Sequence, residues 1–258
     1  MSQRAGLSIV GAETVLESTR LIGMATVILV RHGRSTANAK GVLAGRSPGV
    51  TLDGIGRQQA RHTGERLAAV PLAGVVSSPL RRCRQTSEAI LEQQPGSPAT
   101  SIDKGITECD YGQWQGRPLA ELAAEELWSV VTTQPSAAVF PGGESLAAMQ
   151  SRAVAAIRGQ DAVFGAQYGQ DAVWAAVSHG DIIKAVLADA FGMHLDLFQR
   201  IHVNPASVSI IRYAADQPHV LCTNTDSGDL SWLRSTAADA GAPVGGGTGQ
   251  HGADSSPA

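Results

Sequence analysis

The chain has 258 residues, 43% of them hydrophobic and 17% charged, which suits one sizeable domain with a buried core and lies outside the composition of disordered chains. Its 20 Lys+Arg stand against 23 Asp+Glu, and a formal net charge of −3 argues against nucleic acid or a polybasic membrane contact as partner. No apolar run reaches the ~18 residues of a membrane span, and the three scattered cysteines (Cys83, Cys109, Cys222) form no CxxC pair, which excludes a disulfide framework and gives no zinc spacing.

Residues 1–23 carry no secretory signal, because Glu13 and Glu17 interrupt the apolar residues, and they are expected to be a disordered N-terminal extension with translation starting at Met24. The run Ala25-Thr26-Val27-Ile28-Leu29-Val30 is apolar and β-branched and predicts a buried first strand. A helix is expected from Asp53 to Val70, a second strand over Gly74-Val75-Val76-Ser77, and a helix opened by Pro79 and running to Leu91. Pro118 is expected to begin a helix carrying Leu119, Leu122 and Leu127, and Glu144 to Arg158 has a helical pattern. Ala172 to Val177 predicts a third core strand, Ile182 to Phe191 a helix, and Ser207–Tyr213 with His219–Cys222 a closing antiparallel pair. After Arg234 the Gly/Ala/Ser/Pro mixture of 235–258 predicts a disordered tail, so the functional unit is 24–234. Alternation of strand and helix predicts an α/β fold: a mostly parallel sheet with helices on both faces, and catalytic groups beyond the carboxyl ends of the strands.

Those strand ends carry chemistry. The first strand runs into Arg31-His32-Gly33-Arg34-Ser35, the second into Ser77-Ser78-Pro79-Leu80-Arg81-Arg82, and the third into Ser178-His179-Gly180-Asp181. A neutral imidazole nitrogen can attack phosphorus, and arginine grips a phosphoryl group bidentately without competing as a nucleophile. One His after a strand is ordinarily a loop or packing residue; two His-Gly pairs at two strand ends raise an anion or phosphate site to equal standing with that plainer reading. No His/Asp/Glu cluster with i, i+4 spacing supports a metal site.

The series of motifs resembles the histidine phosphatase superfamily, the group that includes cofactor-dependent phosphoglycerate mutase. Val30-Arg31-His32-Gly33-Arg34-Ser35-Thr36-Ala37-Asn38 matches the family's Arg-His-Gly-x-Ser/Thr-x-x-Asn, and Leu52-Asp53-Gly54-Ile55-Gly56-Arg57-Gln58-Gln59-Ala60 is similar to its helix entry. Ser77 to Thr86, Glu108 to Gly116, Gly143-Glu144-Ser145 and Ser178-His179-Gly180 follow in the expected order. Any one motif is weak, but six in order are specific. The resemblance implies a three-layer α/β/α sandwich, phosphoglycerate mutase-like. It implies His32 as the nucleophile that becomes phosphohistidine, with Arg31, Arg82 and His179 around the phosphoryl group. It implies Glu108 as the general acid and then base, and Asn38 and the Gly45 amide as further phosphate contacts. It requires no metal and no cofactor. Arg34 and Asp181 depart from common family residues, and with Ser35 they are expected at the substrate mouth.

Between Glu108 and His179 the only cations are Arg117, Arg152 and Arg158, with no pair fit to bind a second phosphate. That favours a phosphomonoester hydrolase over the alternatives of a phosphoglycerate mutase-type isomerase or a catalytically weak phosphate-binding regulator. The expected partner is a small phosphorylated substrate, with no nucleic acid and no membrane; the location is cytoplasmic, and a homodimer stays open beside a monomer. Trp114 and Tyr111 are read as packing residues, Arg84 as a solvated helix residue, and His62, His194, His202 and His219 as surface or partly buried histidines outside the site.

Overall fold

The fold was read from a computed structural model, which describes residues 25–214 and 217–226. The expectations for 1–23 and 235–258 therefore lie outside the described residues. The elements in chain order are β1 (Thr26–Arg31), α1 (Thr36–Ala39), α2 (Gly54–Leu67), β2 (Gly74–Ser77), α3 (Arg81–Leu91), β3 (Ala99–Ile102), α4 (Leu119–Leu122), α5 (Glu126–Thr133), α6 (Leu146–Tyr168), β4 (Val173–Ser178), α7 (Gly180–Ala190), β5 (Val208–Tyr213) and β6 (Pro218–Thr225). Six strands form one sheet in the order β3-β2-β4-β1-β5-β6. The β3–β2, β2–β4 and β4–β1 pairs are parallel, and β5 and β6 add an antiparallel edge.

The central strands are continuous apolar runs because both of their faces are covered. Along β1, Val27 and Leu29 pack with Trp174, Phe164, Met149 and Ile183 on the face of α6 and α7, whereas Ile28 and Val30 pack with Leu67, Cys83 and Ile90 on the face of α2 and α3. Alternate side chains thus enter opposite cores, and the expected three-layer sandwich with a mostly parallel sheet follows. Register brings the strand ends together: Arg31 lies beside Ser178, and Ser77 beside Val177. The carboxyl ends of β1, β4 and β2 are therefore one contiguous edge.

The boundaries depart from expectation at four places. Pro79 does not open α3: the helix starts at Arg81 with Leu80 in the extended N-cap position. The helix expected from Pro118 is two, α4 with Pro118 as its N-cap and a separate α5. The helix expected to end at Arg158 continues through Gly159 to Tyr168, because Ile157, Asp161 and Phe164 keep one buried face at helical spacing. The edge strand β3, Ala99-Thr100-Ser101-Ile102, was not expected; all four residues are exposed and it offers no apolar pattern.

Candidate active site

Three of the strand-to-helix junctions build the site. After β1 the chain turns through His32 and Gly33 into α1, which Ser35 caps: its Oγ accepts from Asn38 N at 3.2 Å while Asn38 Oδ1 accepts from Ser35 N at 3.0 Å. After β2 comes α3, which carries Arg82 in its first turn, and after β4 comes α7, with His179 as its N-cap. Two 11-residue helices thus begin at one edge, where their dipoles favour an anion.

His32, Ser35, Asn38, Gly45, Arg82 and Glu108 line one small cavity together with Leu43, Ala44 and Tyr111. The His32 ring donates from Nδ1 to the Gly33 carbonyl at 2.7 Å, which leaves Nε2 as the atom with a lone pair. Arg82 Nε donates to that Nε2 at 3.1 Å, and Arg82 Nη2 donates to the Gly45 carbonyl at 2.9 Å and meets His179 Nδ1 at 3.1 Å. His179 Nε2 pairs with Ser78 Oγ at 2.7 Å, and the two imidazole centroids are 5.3 Å apart. Glu108 Oε2 lies 4.0 Å from His179 Nδ1, and Glu108 Oε1 accepts from Cys109 N at 3.0 Å.

Burial sets the protonation states. Both imidazoles are pushed well below 6.5, by desolvation first and then by the guanidinium of Arg82, so both are neutral near pH 7. The Glu108 carboxyl is pushed up to about 7, again by burial first and next by the charge of Asp181, against the pull of Arg82. Arg31 is brought down to about 10 by burial and keeps its charge at neutrality. Cys83 sits 3.4 Å from His179 Nε2, yet burial raises its thiol to about 12, so it is no thiolate nucleophile.

Several expected residues stand elsewhere than anticipated. Arg31 is buried beside the site, where its Nη1 donates to the Val203 carbonyl at 2.7 Å and its charge acts on His32 and Glu108. Arg34 presents no bare charge at a mouth, because its Nε meets Asp53 Oδ2 at 2.6 Å on the N-cap of α2. Ser35 is buried as the cap of α1 and forms cavity wall instead of rim. Asp181 is no mouth residue: it is 0% exposed, held by Tyr111 Oη at 2.7 Å and Lys184 Nζ at 3.2 Å. Trp114 is packing as expected, buried with Nε1 on Glu125, whereas Tyr111 both packs and lines the cavity. Arg84, His62, His194, His202 and His219 are exposed.

Residues beyond that list support the site. Arg46 Nε and Arg152 Nη2 both donate to the Glu108 carbonyl, at 2.9 and 3.2 Å. Glu144 binds both arginines, at 2.9 Å to Arg46 and 2.6 Å to Arg152. Ser78 and Glu144 stood inside recognised motifs, so their positions were visible although their contacts were not. Arg46 carried no signal of its own. Among the described residues, no group of three or more His, Cys, Asp or Glu side chains is placed to hold a metal ion, and no helix is long and apolar enough to cross a membrane.

Comparison with known proteins agrees with this geometry. The profile of the histidine phosphatase superfamily (branch 1) matches residues 27–226, and the chain belongs to that family. A protein of Salmonella choleraesuis named "Probable phosphoglycerate mutase GpmB" is 31% identical over 198 residues, covering 75% of this chain and 87% of the relative. The solved structure of YhfR from Bacillus stearothermophilus superposes with a TM-score of 0.71 at 25% identity, over 79% of this chain and 98% of that one. A mycobacterial glucosyl-3-phosphoglycerate phosphatase shares the fold with a TM-score of 0.69 at 22% identity, over 79% of this chain and all of the other.

Proposed function

We propose that the protein is a phosphomonoester hydrolase that works through a phosphohistidine on His32, without a metal or cofactor. The observation that carries this reading is the state of the His32 ring: Nδ1 bonded to the Gly33 carbonyl, Nε2 turned to Arg82 in the cavity, and the imidazole neutral. The incoming phosphoryl oxygens take over the Arg82 Nε–H, the freed His32 Nε2 lone pair attacks phosphorus, the ester P–O bond breaks, and the Glu108 carboxyl gives its proton to the leaving oxygen. The resulting Glu108 carboxylate then takes a proton from water as that water attacks the phosphohistidine, and phosphate leaves with the enzyme restored. Arg82 spans both imidazoles and neutralises the equatorial oxygens, a preorganised donor worth about 3–4 kcal/mol of barrier. An arriving dianion also favours a proton on His179, which is neutral before binding.

The substrate we infer is a small phosphorylated metabolite in the cytoplasm, with neither nucleic acid nor membrane as partner. A net charge of −3 supports this, as do the three free cysteines of a reduced compartment. A mutase-type reading is favoured by the name of the 31% identical relative. Against it, Arg34 has an acid partner in Asp53, Arg46 and Arg152 share Glu144, and Arg117 is paired with Glu125, so none of the four stands without a carboxylate for a second phosphate.

Wild type and His32→Ala assayed with 4-nitrophenyl phosphate, a panel of sugar and nucleotide phosphates, and 3-phosphoglycerate with a bisphosphoglycerate primer separate these readings. Phosphate release that His32→Ala abolishes supports the hydrolase. Faster primer-dependent isomerisation than hydrolysis would replace it with the mutase, and no turnover with no trapped phosphohistidine would leave a phosphate-binding regulator.

A further inference from the structure

Behind the cavity lies a buried charge that the reaction as written does not use. Asp181 stands in the first turn of α7 with its carboxylate wholly enclosed. Tyr111 Oη donates to Oδ2 at 2.7 Å, and Lys184 Nζ, one turn further along α7, reaches Oδ1 at 3.2 Å. Lys184 is itself buried and donates to Gln199 Oε1 at 3.1 Å. The carboxylate thus has a hydroxyl, an ammonium and a helix N-terminus around it inside the protein. Tyr111 belongs to the short segment Glu108-Cys109-Asp110-Tyr111, so Asp181 ties down the stretch of chain that carries the acid.

We propose that Asp181 is a positioning residue for Glu108: through Tyr111 it fixes the segment that carries the acid against the cavity and sets a buried carboxylate behind it. This rests on the reading of Glu108 as the acid. The groups facing the carboxyl act in both directions. Arg82, Arg31, Lys184 and Arg152 favour ionised Glu108, His179 at 4.0 Å is neutral, and Asp181 is the acid that opposes these cations. Burial and Asp181 prevail, since the carboxyl ends near 7. Removing Asp181 leaves burial alone to oppose the cations, so Glu108 ionises at lower pH.

Glu108 can be titrated directly by NMR of the full-length protein labelled at the glutamate carboxyl carbon, with its signal assigned by its loss in Glu108→Gln. Asp181→Asn alone removes the carboxylate that offsets the buried Lys184 ammonium, so the pair is also exchanged together as Asp181→Asn/Lys184→Met. The expected midpoint is near 7 in wild type and lower in Asp181→Asn, with a smaller fall in the double variant, which also loses the Lys184 charge. Tyr111→Phe, which cuts the tie and leaves the charge, is expected to lower kcat on glycerol 2-phosphate while the midpoint stays at its wild-type value. A midpoint unmoved in both Asp181 variants overturns the proposal, as does a wild-type Glu108 that titrates at an ordinary carboxylate pH. The acid reading fails by a different measurement: Glu108→Gln that hydrolyses glycerol 2-phosphate at the wild-type rate.

Discussion

Arg82 Nε donates to His32 Nε2 at 3.1 Å, so the guanidinium proposed to grip the phosphoryl group is already aligned on the proposed nucleophile. Its Nη2 meanwhile holds both the Gly45 carbonyl and His179, which fixes the planar fork in three directions. A lysine in its place has one point charge and cannot reach all three. Arg82→Lys is therefore expected to lower kcat/KM for 4-nitrophenyl phosphate by about 10²–10³-fold although the net charge is unchanged. A loss under tenfold would mean that charge alone, without the fork, does the work.

Gly33 and Gly56 let the nucleophile loop lie directly on the start of α2. A Cβ on Gly33 would fall 2.3 Å from the Gly56 carbonyl oxygen, and a Cβ on Gly56 would fall 1.9 Å from the Arg34 carbonyl oxygen. Both obstacles are backbone and cannot swing aside. Gly56→Ala, which helix propensity alone would make stabilising, is expected to destabilise by about 1–3 kcal/mol and to lower activity by shifting His32. Gly54 in the same helix meets nothing within 4 Å, so Gly54→Ala is expected to stabilise by about 0.4–1 kcal/mol. Urea unfolding of the two variants checks the pair, and equal shifts of the same sign would sink the argument.

Glu144 acts on the reaction through the main chain of Glu108. Burial alone would raise its carboxyl, but hydrogen bonds from Arg152 and from the Asp110 amide hold it below the usual carboxylate range. The two arginines it gathers both bind the Glu108 carbonyl. Glu144→Gln loosens that clamp without touching Arg82, so kcat on an alkyl phosphate is expected to fall by up to about 10²-fold while KM changes little. A rise in KM with kcat intact would assign Glu144 to substrate binding instead.

The central strands and the three strand-end motifs were legible because their signals are local. Val27 to Val30 and Ala172 to Val177 are apolar on both faces, and His32, Arg82 and His179 each follow such a strand or open the next helix. β3 was not legible, since an exposed edge strand of Ala99, Thr100, Ser101 and Ile102 has no face to bury. Asp181 misled for a related reason. A charged residue after His-Gly reads as exposed, and only the packing of Tyr111 and Lys184 around it makes its burial affordable. Arg46 was missed because its meaning depends on Glu108 and Glu144, 62 and 98 residues away along the chain.

The buried titratable groups of the site also set how the fold responds to acid. His32 and His179 are held neutral, well below 6.5, while Glu108 is held protonated up to about 7 from an ordinary 4.5. A histidine depressed by folding leaves stability unchanged while both states are neutral and subtracts from it once the unfolded chain takes up the proton. As pH falls below about 6.5, the unfolded chain takes up two protons at these positions that the folded chain refuses. Over the same range, down to about 4.5, the folded chain keeps one proton on Glu108 that the unfolded chain releases. The unfolded side is left ahead in protons, so stability is expected to fall as pH drops from about 6 to 5. Glu108→Gln removes the opposing proton and should steepen the fall, whereas His179→Gln should make it shallower. Urea unfolding of the three proteins at half-unit intervals reads these slopes directly, and a wild-type stability that rises on acidification through this window would contradict neutral burial of the two histidines.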